Sequence, residues 1–591
     1  MAIDELNIDF TKQTLELCFK QSSYIIPDYQ REYVWEEENV KALLDDIIGA
    51  CNHSFEKQYF VGTIVVYKTN SKFEVIDGQQ RLTTFFILIC ALKKLHDEMH
   101  ENSKVLSDLI YSTVTDDMGV DVESYHLELQ YQDASGYLEK IYKDTAKKED
   151  AQTESEKKIY EAYEYIYRTI KNEFTTVEEL RKFKGFILKK VLFVQIETKD
   201  MSDALKIFET INQRGVGLNP MDLLKNLIFM HVKRENFKEL NLRWAEITRT
   251  LEKINEQPLR FLRYYIMAQY DTSSQKDGIM REDQIYDWLL QNNDQCQYRE
   301  KPFRFVELMT EGVKKYAEYL NPTDDADGDA HLKNISMLAG GKYKLHLQLM
   351  LAACNMNQEA LSKFKEVLES IVYYATITRT KTNTLERQFA QWCSLIRNIH
   401  NIDELNNFIN KSVYPAVEDW KAEYKLIFMN LGMDTIQQYR IRFILGRIGK
   451  YVEVQCQSKG DAAIGIKEYT GKGVEIEHIM PQTCANPGRY KLKTEEYDAK
   501  KNKLGNLLLL EKSINASIQN DKYEDKCKDY EKSKFYLTKS IKNLKNVGNN
   551  TAVNKMNKRL KAWSEWNGDS ITERQELLYN LGEEIWGIKT K

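Results

Sequence analysis

The stretch Val474-Glu-Ile-Glu-His-Ile-Met-Pro-Gln-Thr483 (VEIEHIMPQT) decides how the C-terminal part of this chain is read. Its alternating, β-branched start predicts a short strand. It sets an acid beside an imidazole, Glu477 next to His478, in a chain with only nine His. Neighbours on a strand point to opposite faces, so the two side chains can reach one ligand only at a bend or a strand end. The pair alone carries little, because such pairs usually serve structure. The residues that follow change its weight. Asn506 comes 28 residues after His478, in NKLGNLLLL (502–510), at the start of a second predicted strand. Asn515 comes nine residues further, in EKSINASIQND, where a helix should begin. Lys522 and Lys526 then recur at helical spacing and are candidates for phosphate contact.

Strand, strand and helix are the frame of a one-metal nuclease. Such a site needs a neutral His to activate water and a group that fixes its tautomer and direction. It needs oxygen ligands that hold a divalent ion against the phosphate, and a basic surface for the backbone. An Asn side-chain oxygen suits a hard cation such as Mg²⁺. From 501 to 560 there are 14 Lys and Arg against 6 Asp and Glu, a local excess of 8 in a chain of net charge −5. Nucleic-acid binding is therefore expected to be local.

EHIMPQT followed by NKLGNLLLLEKSIN resembles the HNH branch of the His-Me finger nucleases. It is most similar to the C-terminal nuclease domain of GmrSD-type modification-dependent restriction enzymes. The resemblance implies His478 as general base and Asn506 as the residue that orients it. It implies Glu477 and Asn515 as the metal site, for Mg²⁺ or Mn²⁺. Two positions depart from the common pattern: Glu stands where many relatives carry Asp, and Asn515 stands where many carry His. Asn502 is the alternative orienting residue.

The bulk figures bound the rest. At ~100–200 residues per domain, 591 residues make several domains. Hydrophobic residues make up 42%, enough for real cores, and eight Pro argue against long disordered linkers. Nine scattered Cys form no CxxC, which speaks against structural zinc and for a reducing compartment. The start MAIDELNIDFTKQ lacks the basic and then apolar run of a signal peptide, so none is expected, and the apolar run FFILICAL (85–92) is too short to span a bilayer. A cytoplasmic protein without membrane contact is expected.

Further upstream, YIIPDYQREYVW reads as extended chain, EEENVKALLDDIIGAC as helix, and YFVGTIVVYK and FEVI as strands. Residues 112–125 and 144–157 read as loops or solvated helix ends. From about 156 to about 450 the pattern is helical, interrupted at FETINQRGVGLNPMDLLKN, where Asn219 is the expected N-cap and Pro220 the first helical residue.

FEVIDGQQRLTTFF places Asp77 and Gly78 at a strand end, and Gln79, Gln80 and Arg81 at a helix start. A helix N-terminus favours phosphate, Gly78 permits close backbone approach, and Arg81 can grip phosphate oxygens. Asp77 could hold Mg²⁺ or accept a proton. No GxxxxGK[ST] run is present, so this is no P-loop. The segment resembles the signature of the N-terminal domain of the same GmrSD-type proteins, whose fold is similar to ParB and sulfiredoxin. IPDYQREYVW and FETINQRGVGLNPMDLLKN resemble two further family elements. The resemblance implies a nucleotide site (GTP or ATP) of Asp77, Gly78, Gln79, Gln80 and Arg81, with Asn212 and Arg214 as helpers. Tyr29, Gln30 and Arg31 are candidates to contact DNA.

The expected protein is α+β and multidomain. Residues 1–235 form the nucleotide and modification-sensing domain, 236–425 a helical linker and 426–591 a ββα-metal nuclease. The expected activity is NTP-regulated endonuclease action, with NTPase activity, on modified double-stranded DNA in antiphage defence. Its expected partners are DNA, nucleotide and a second copy of the chain. The rival from another class is a non-cutting, ParB-like nucleotide-switched DNA-binding regulator. A nuclease directed at RNA is a third reading.

Overall fold

The computed structural model describes residues 8–27, 30, 32–69, 72–101, 103–115, 118–131, 134–198, 204, 207, 220–322, 329–456, 465–518, 522–547 and 551–589. The chain divides into two compact units. One comprises Met1–Arg249 with Tyr286–Thr310, the other Thr250–Ile285 with Glu311–Lys591.

The first unit is built on strands β1 (Ile8–Thr14), β2 (Tyr24–Ile26), β3 (Tyr59–Thr69) and β4 (Lys72–Asp77). A hairpin, β5 (Tyr111–Thr115) and β6 (Asp121–Tyr125), stands apart as its own sheet, and β7 (Leu127–Leu129) and β8 (Val191–Thr198) complete the main one. Its order is β1-β8-β3-β4-β2-β7. β3 runs parallel to β8, and β2 runs parallel to both β4 and β7, while β1–β8 and β3–β4 are antiparallel. Two of these elements depart from the sequence expectation. Residues 112–125 were expected as loops or helix ends, yet YSTVT is β-branched and pairs with Asp121–Tyr125. Val191–Thr198 lies inside the stretch expected to be helical. VLFVQI is a short apolar run buried between two partner strands, a pattern that periodicity cannot separate from a buried helix.

Helix α1 (Gln79–Glu98) follows β4 directly and is buried on nearly every side. It packs against α2 (Glu154–Glu173), and α3 (Val177–Lys190) leads into β8. Both α2 and α3 start with a reciprocal cap. Thr153 Oγ1 accepts from the Glu156 amide at 3.1 Å, and Glu156 returns a bond to the Thr153 amide at 3.1 Å. Thr176 and Glu179 repeat the arrangement.

The turn from β4 into α1 uses its polar residues internally. Gly78 has φ of +88°, and a Cβ there would meet Ile64 Cγ2 at 2.7 Å. Arg81 donates to the Val61 carbonyl at 2.7 Å and to the Thr63 carbonyl at 3.1 Å. These carbonyls flank Gly62, where β3 shifts register against β8 and φ is +113°. The guanidinium thus fills the bulge, and a Cβ on Gly62 would collide with it.

The second unit is mostly helical. Helix α4 (Gln358–Ile377) carries Tyr373, on which Trp586 of the C-terminal helix stacks at 3.8 Å. Helix α5 (Gln438–Cys456) lies beside a two-stranded sheet of β9 (Val474–His478) and β10 (Leu507–Glu511). The strands pair antiparallel with His478 opposite Leu507. Helix α6 (Thr494–Lys501) lies between the strands in sequence, α7 (Lys512–Ile518) and α8 (Tyr523–Tyr530) follow them, and α9 (Gly568–Trp586) ends the unit. Among the described residues, no helix is long and apolar enough to cross a membrane.

Arg81→Ala is expected to cost about 1.5–3 kcal/mol, the scale of hydrogen bonds made by a charged group. Faster amide exchange along β3 and a lower unfolding midpoint would show it. Unchanged stability would return Arg81 to a ligand-binding role.

Candidate functional site

His478 is the last residue of β9 and pairs with the first residue of β10, so it stands where the connection between the two strands begins. It is half-buried, and its Nε2 lies 3.2 Å from Asn502 Oδ1. Asn502 ends α6 and is itself fixed, its Nδ2 lying 2.9 Å from each carboxylate oxygen of Asp434. Burial pushes the imidazole below its ordinary value, while the bond to Asn502 acts the other way. The ring is therefore neutral at pH 7, as a proton acceptor must be.

The orienting amide differs from the one expected first. Asn506 does not meet His478. It is 0% exposed and serves the backbone. Its Oδ1 accepts from the Met480 amide at 2.7 Å, and its Nδ2 donates to the Met480 carbonyl at 2.9 Å and the Lys501 carbonyl at 2.7 Å. Trp566 adds an indole donor to the same oxygen at 3.0 Å. Asn506 thus seals the strand end just beyond His478, and Asn502, the alternative, occupies the orienting position. Both lie before an apolar run, which is why spacing alone did not separate them.

Both members of the expected metal pair already have protein partners. Glu477 points away from His478, as strand alternation requires, and its Oε1 accepts from Lys526 Nζ at 2.6 Å. Lys526 also donates to the His478 carbonyl at 2.7 Å and is 1% exposed at its side chain. Tyr530 reaches the same Glu477 oxygen at 3.3 Å. Glu477 therefore does not fit a metal-ligand role, because an ammonium already neutralises it, and buried Lys526 does not fit a DNA contact. Lys522 is exposed, as a DNA contact requires.

Asn515 sits on α7, with Nδ2 donating to Glu475 Oε2 at 2.8 Å. Its Oδ1 is buried and has no hydrogen-bond partner. An oxygen of that kind fits a hard cation. Among the described residues, however, no group of three or more His, Cys, Asp or Glu is placed to hold a metal ion. Among the described residues, Asn515 Oδ1 is thus an unpartnered oxygen on α7 without a cage of carboxylates or imidazoles around it.

Sequence reasoning missed the residues behind the site. Arg574 of α9 donates to the Gly505 and Leu507 carbonyls, each at 2.7 Å. Gln575 accepts from the Gly505 amide and donates to the Phe428 carbonyl at 2.6 Å. Arg574 falls at helical spacing within the apolar stripe Ile571, Leu578 and Leu581, and that is the signal that could have found it. Asp434, in an exposed turn, gave none.

In the first unit, Gln80 Oε1 accepts from the Val34 amide and its Nε2 donates to the Glu32 carbonyl, both at 2.9 Å. With Arg81 bound to β3, neither side chain is available as a phosphate grip in this arrangement. Asp77 closes β4 and Gln79 is buried at the start of α1. Gln30 is 8% exposed, so it is no surface contact for DNA, and its Nε2 is buried without a hydrogen-bond partner. Tyr29, Arg31, Asn212, Arg214 and the expected N-cap Asn219 lie outside the described residues, and Pro220 opens the helix Pro220–Phe229.

An imidazole at a strand end, held through Nε2 by an anchored amide, defines a candidate hydrolytic site. Residues 14–229 match the model of the GmrSD restriction endonuclease N-terminal domain, and residues 420–581 match that of the GmrSD restriction endonuclease C-terminal domain. The chain belongs to the GmrSD family. It is also 25% identical over 280 residues to an uncharacterized protein of Methanocaldococcus jannaschii, a match that spans 41% of this chain and 44% of that protein. The chain therefore spans less than half the length of that relative.

Lys526→Met should leave Glu477 buried and unpaired, at a cost of about 3–5 kcal/mol. Thermal unfolding would read this loss, and adding Glu477→Gln should recover most of it. A stable single variant whose DNA binding merely lost salt dependence would instead make Lys526 a phosphate contact.

Proposed function

We propose that this chain is a restriction nuclease that hydrolyses phosphodiester bonds in DNA, nicking or cutting DNA that carries a modification, in antiphage defence. One observation carries the reading. His478 is a neutral imidazole at a strand end, bound through Nε2 to an amide that is itself anchored, in a chain of the GmrSD family. In the proposed reaction a water oxygen attacks phosphorus as His478 takes its proton. The bond from phosphorus to the leaving oxygen breaks, and that oxygen is protonated from solvent. The local excess of Lys, with exposed Lys522, Lys545, Lys555 and Lys558, supports a surface that follows the DNA backbone.

A divalent cation, Mg²⁺ or Mn²⁺, is proposed to enter with the DNA. Such ions are commonly bound by few protein oxygens plus substrate phosphates. Asn515 Oδ1 is the protein oxygen left for it. What the ion supplies there is neutralisation of charge on the phosphate. Nucleotide regulation by GTP or ATP, with hydrolysis of the nucleotide, is proposed for the first unit. Support comes from the family resemblance of the Asp77–Arg81 turn and from the unpartnered Gln30 amide nitrogen. The role of Arg81 and Gln80 there is to shape the turn.

The second reading, a DNA-binding regulator that does not cut, is favoured by one specific observation. The Glu477 carboxylate is tied to Lys526, so the expected two-ligand metal site is not preformed.

His478→Ala should lower the cleavage rate about 10²–10⁴-fold while DNA affinity is unchanged. Nicking assays and binding isotherms on modified and plain phage DNA, with and without GTP or ATP, separate the readings. Absence of cleavage by the unaltered protein on every such substrate supports the regulator. Chelation should abolish cleavage, and Asn515→Ala should raise the Mg²⁺ concentration needed to restore it. An unchanged Mg²⁺ requirement would remove Asn515 from the cation site.

A further inference from the structure

Asp434 lies in the turn 431–435, which no feature of the sequence marks as functional. The turn is docked by its backbone against the segment that follows α6. Met433 donates to the Asn502 carbonyl at 2.9 Å, and Leu504 donates to the Leu431 carbonyl at 2.8 Å. Gly432 pairs with Lys503 as an isolated bridge. A Cβ on Gly432 would lie 2.3 Å from the Asn502 carbonyl oxygen, so only glycine permits this approach. Thr435 Oγ1 accepts from the Gly432 amide at 2.9 Å and closes the turn. None of these bonds uses the Asp434 side chain.

That side chain is left to Asn502, with both oxygens 2.9 Å from Nδ2. An ionised carboxylate only accepts hydrogen bonds. The amide must therefore turn its nitrogen to Asp434 and its oxygen to the other side. There the oxygen meets His478 Nε2 at 3.2 Å. An amide oxygen also only accepts, so Nε2 must carry the proton. In a neutral ring the lone pair then belongs to Nδ1, and Nδ1 has no hydrogen-bond partner among the described residues.

We propose that Asp434 is a positioning residue: by fixing which way the Asn502 amide faces, it fixes the tautomer of His478 and makes Nδ1 the atom that accepts the proton from water. Without the carboxylate, the Asn502 amide is free to turn over and present its nitrogen to Nε2. That would stabilise the opposite tautomer and place a proton on the atom that must receive one. The proposal rests on the hydrolytic reading of His478 for its catalytic consequence, but the tautomer itself is independent of that reading.

The test uses the full chain with ¹⁵N-labelled histidine, with His478→Gln to assign the resonance. The unaltered protein is expected to show His478 as the Nε2–H tautomer, with an unprotonated Nδ1. Asp434→Ala, which keeps the backbone bridge, is expected to lose that preference. Its cleavage kcat should fall about 10–100-fold, as for other residues that act through a neighbour, with KM for DNA unchanged. Asp434→Asn can still offer an oxygen to Asn502 and should recover both tautomer and kcat. Loss of the tautomer preference in a chain that cuts no substrate supports the positioning role and refutes only the hydrolytic reading. An Asp434→Ala protein with the original tautomer and original kcat overturns the proposal, as does a loss confined to KM.

Discussion

Gly505 has no room for a side chain. A Cβ there would lie 2.2 Å from the Ile571 carbonyl oxygen, and the Gly505 amide and carbonyl are both bonded to α9 through Gln575 and Arg574. On its other side the same segment is bonded to the turn 431–435. The chain from Asn502 to Leu507 is thus clamped between two distant parts of the sequence. This clamp sets Asn502 and Asn506, and those two amides set the end of β9. Asn506 closes the strand through Met480, and Asn502 holds the imidazole. The geometry of His478 is accordingly a property of the whole second unit, and not of the hairpin alone.

The Glu477–Lys526 pair shows how one strand can serve two purposes. Strand alternation sends His478 and Glu477 to opposite faces of β9. On the Glu477 face the carboxylate, an ammonium, a phenol and a backbone carbonyl satisfy one another. Buried charges are tolerated when paired in this way, and removing one partner is what is costly. Lys526 thereby ties α8 to β9 beneath the imidazole. The acid beside the histidine looked like chemistry in the sequence, but in the fold it is an anchor. In the first unit Arg81 makes the same point. Its charge is spent on the carbonyls on either side of a bulge in β3.

The order strand, strand, helix around His478 was legible because apolar runs and turn residues punctuate residues 474–518 clearly. The short strands and the helix after Gly78 were legible for the same reason. Val191–Thr198 was not, because a brief apolar run without period fits a buried helix as well as a buried strand. Asn502 and Asn506 both precede the strand β10, and only the docked turn from residues 431–435 decides between them. Asp434 and Gln575 act through contacts 68 and 70 residues away, a separation at which local pattern is silent. The partners of Glu477 and Arg81 were likewise set by tertiary packing, and charge type alone suggested ligands instead.

The most direct measurement is a structure of the full chain bound to uncleaved duplex DNA. The account predicts the scissile phosphate at the His478 end of β9, facing Nδ1 of His478, with Glu477 still paired with Lys526. DNA bound with its backbone remote from His478, or a phosphate held by Glu477 through a metal after release of Lys526, would contradict it.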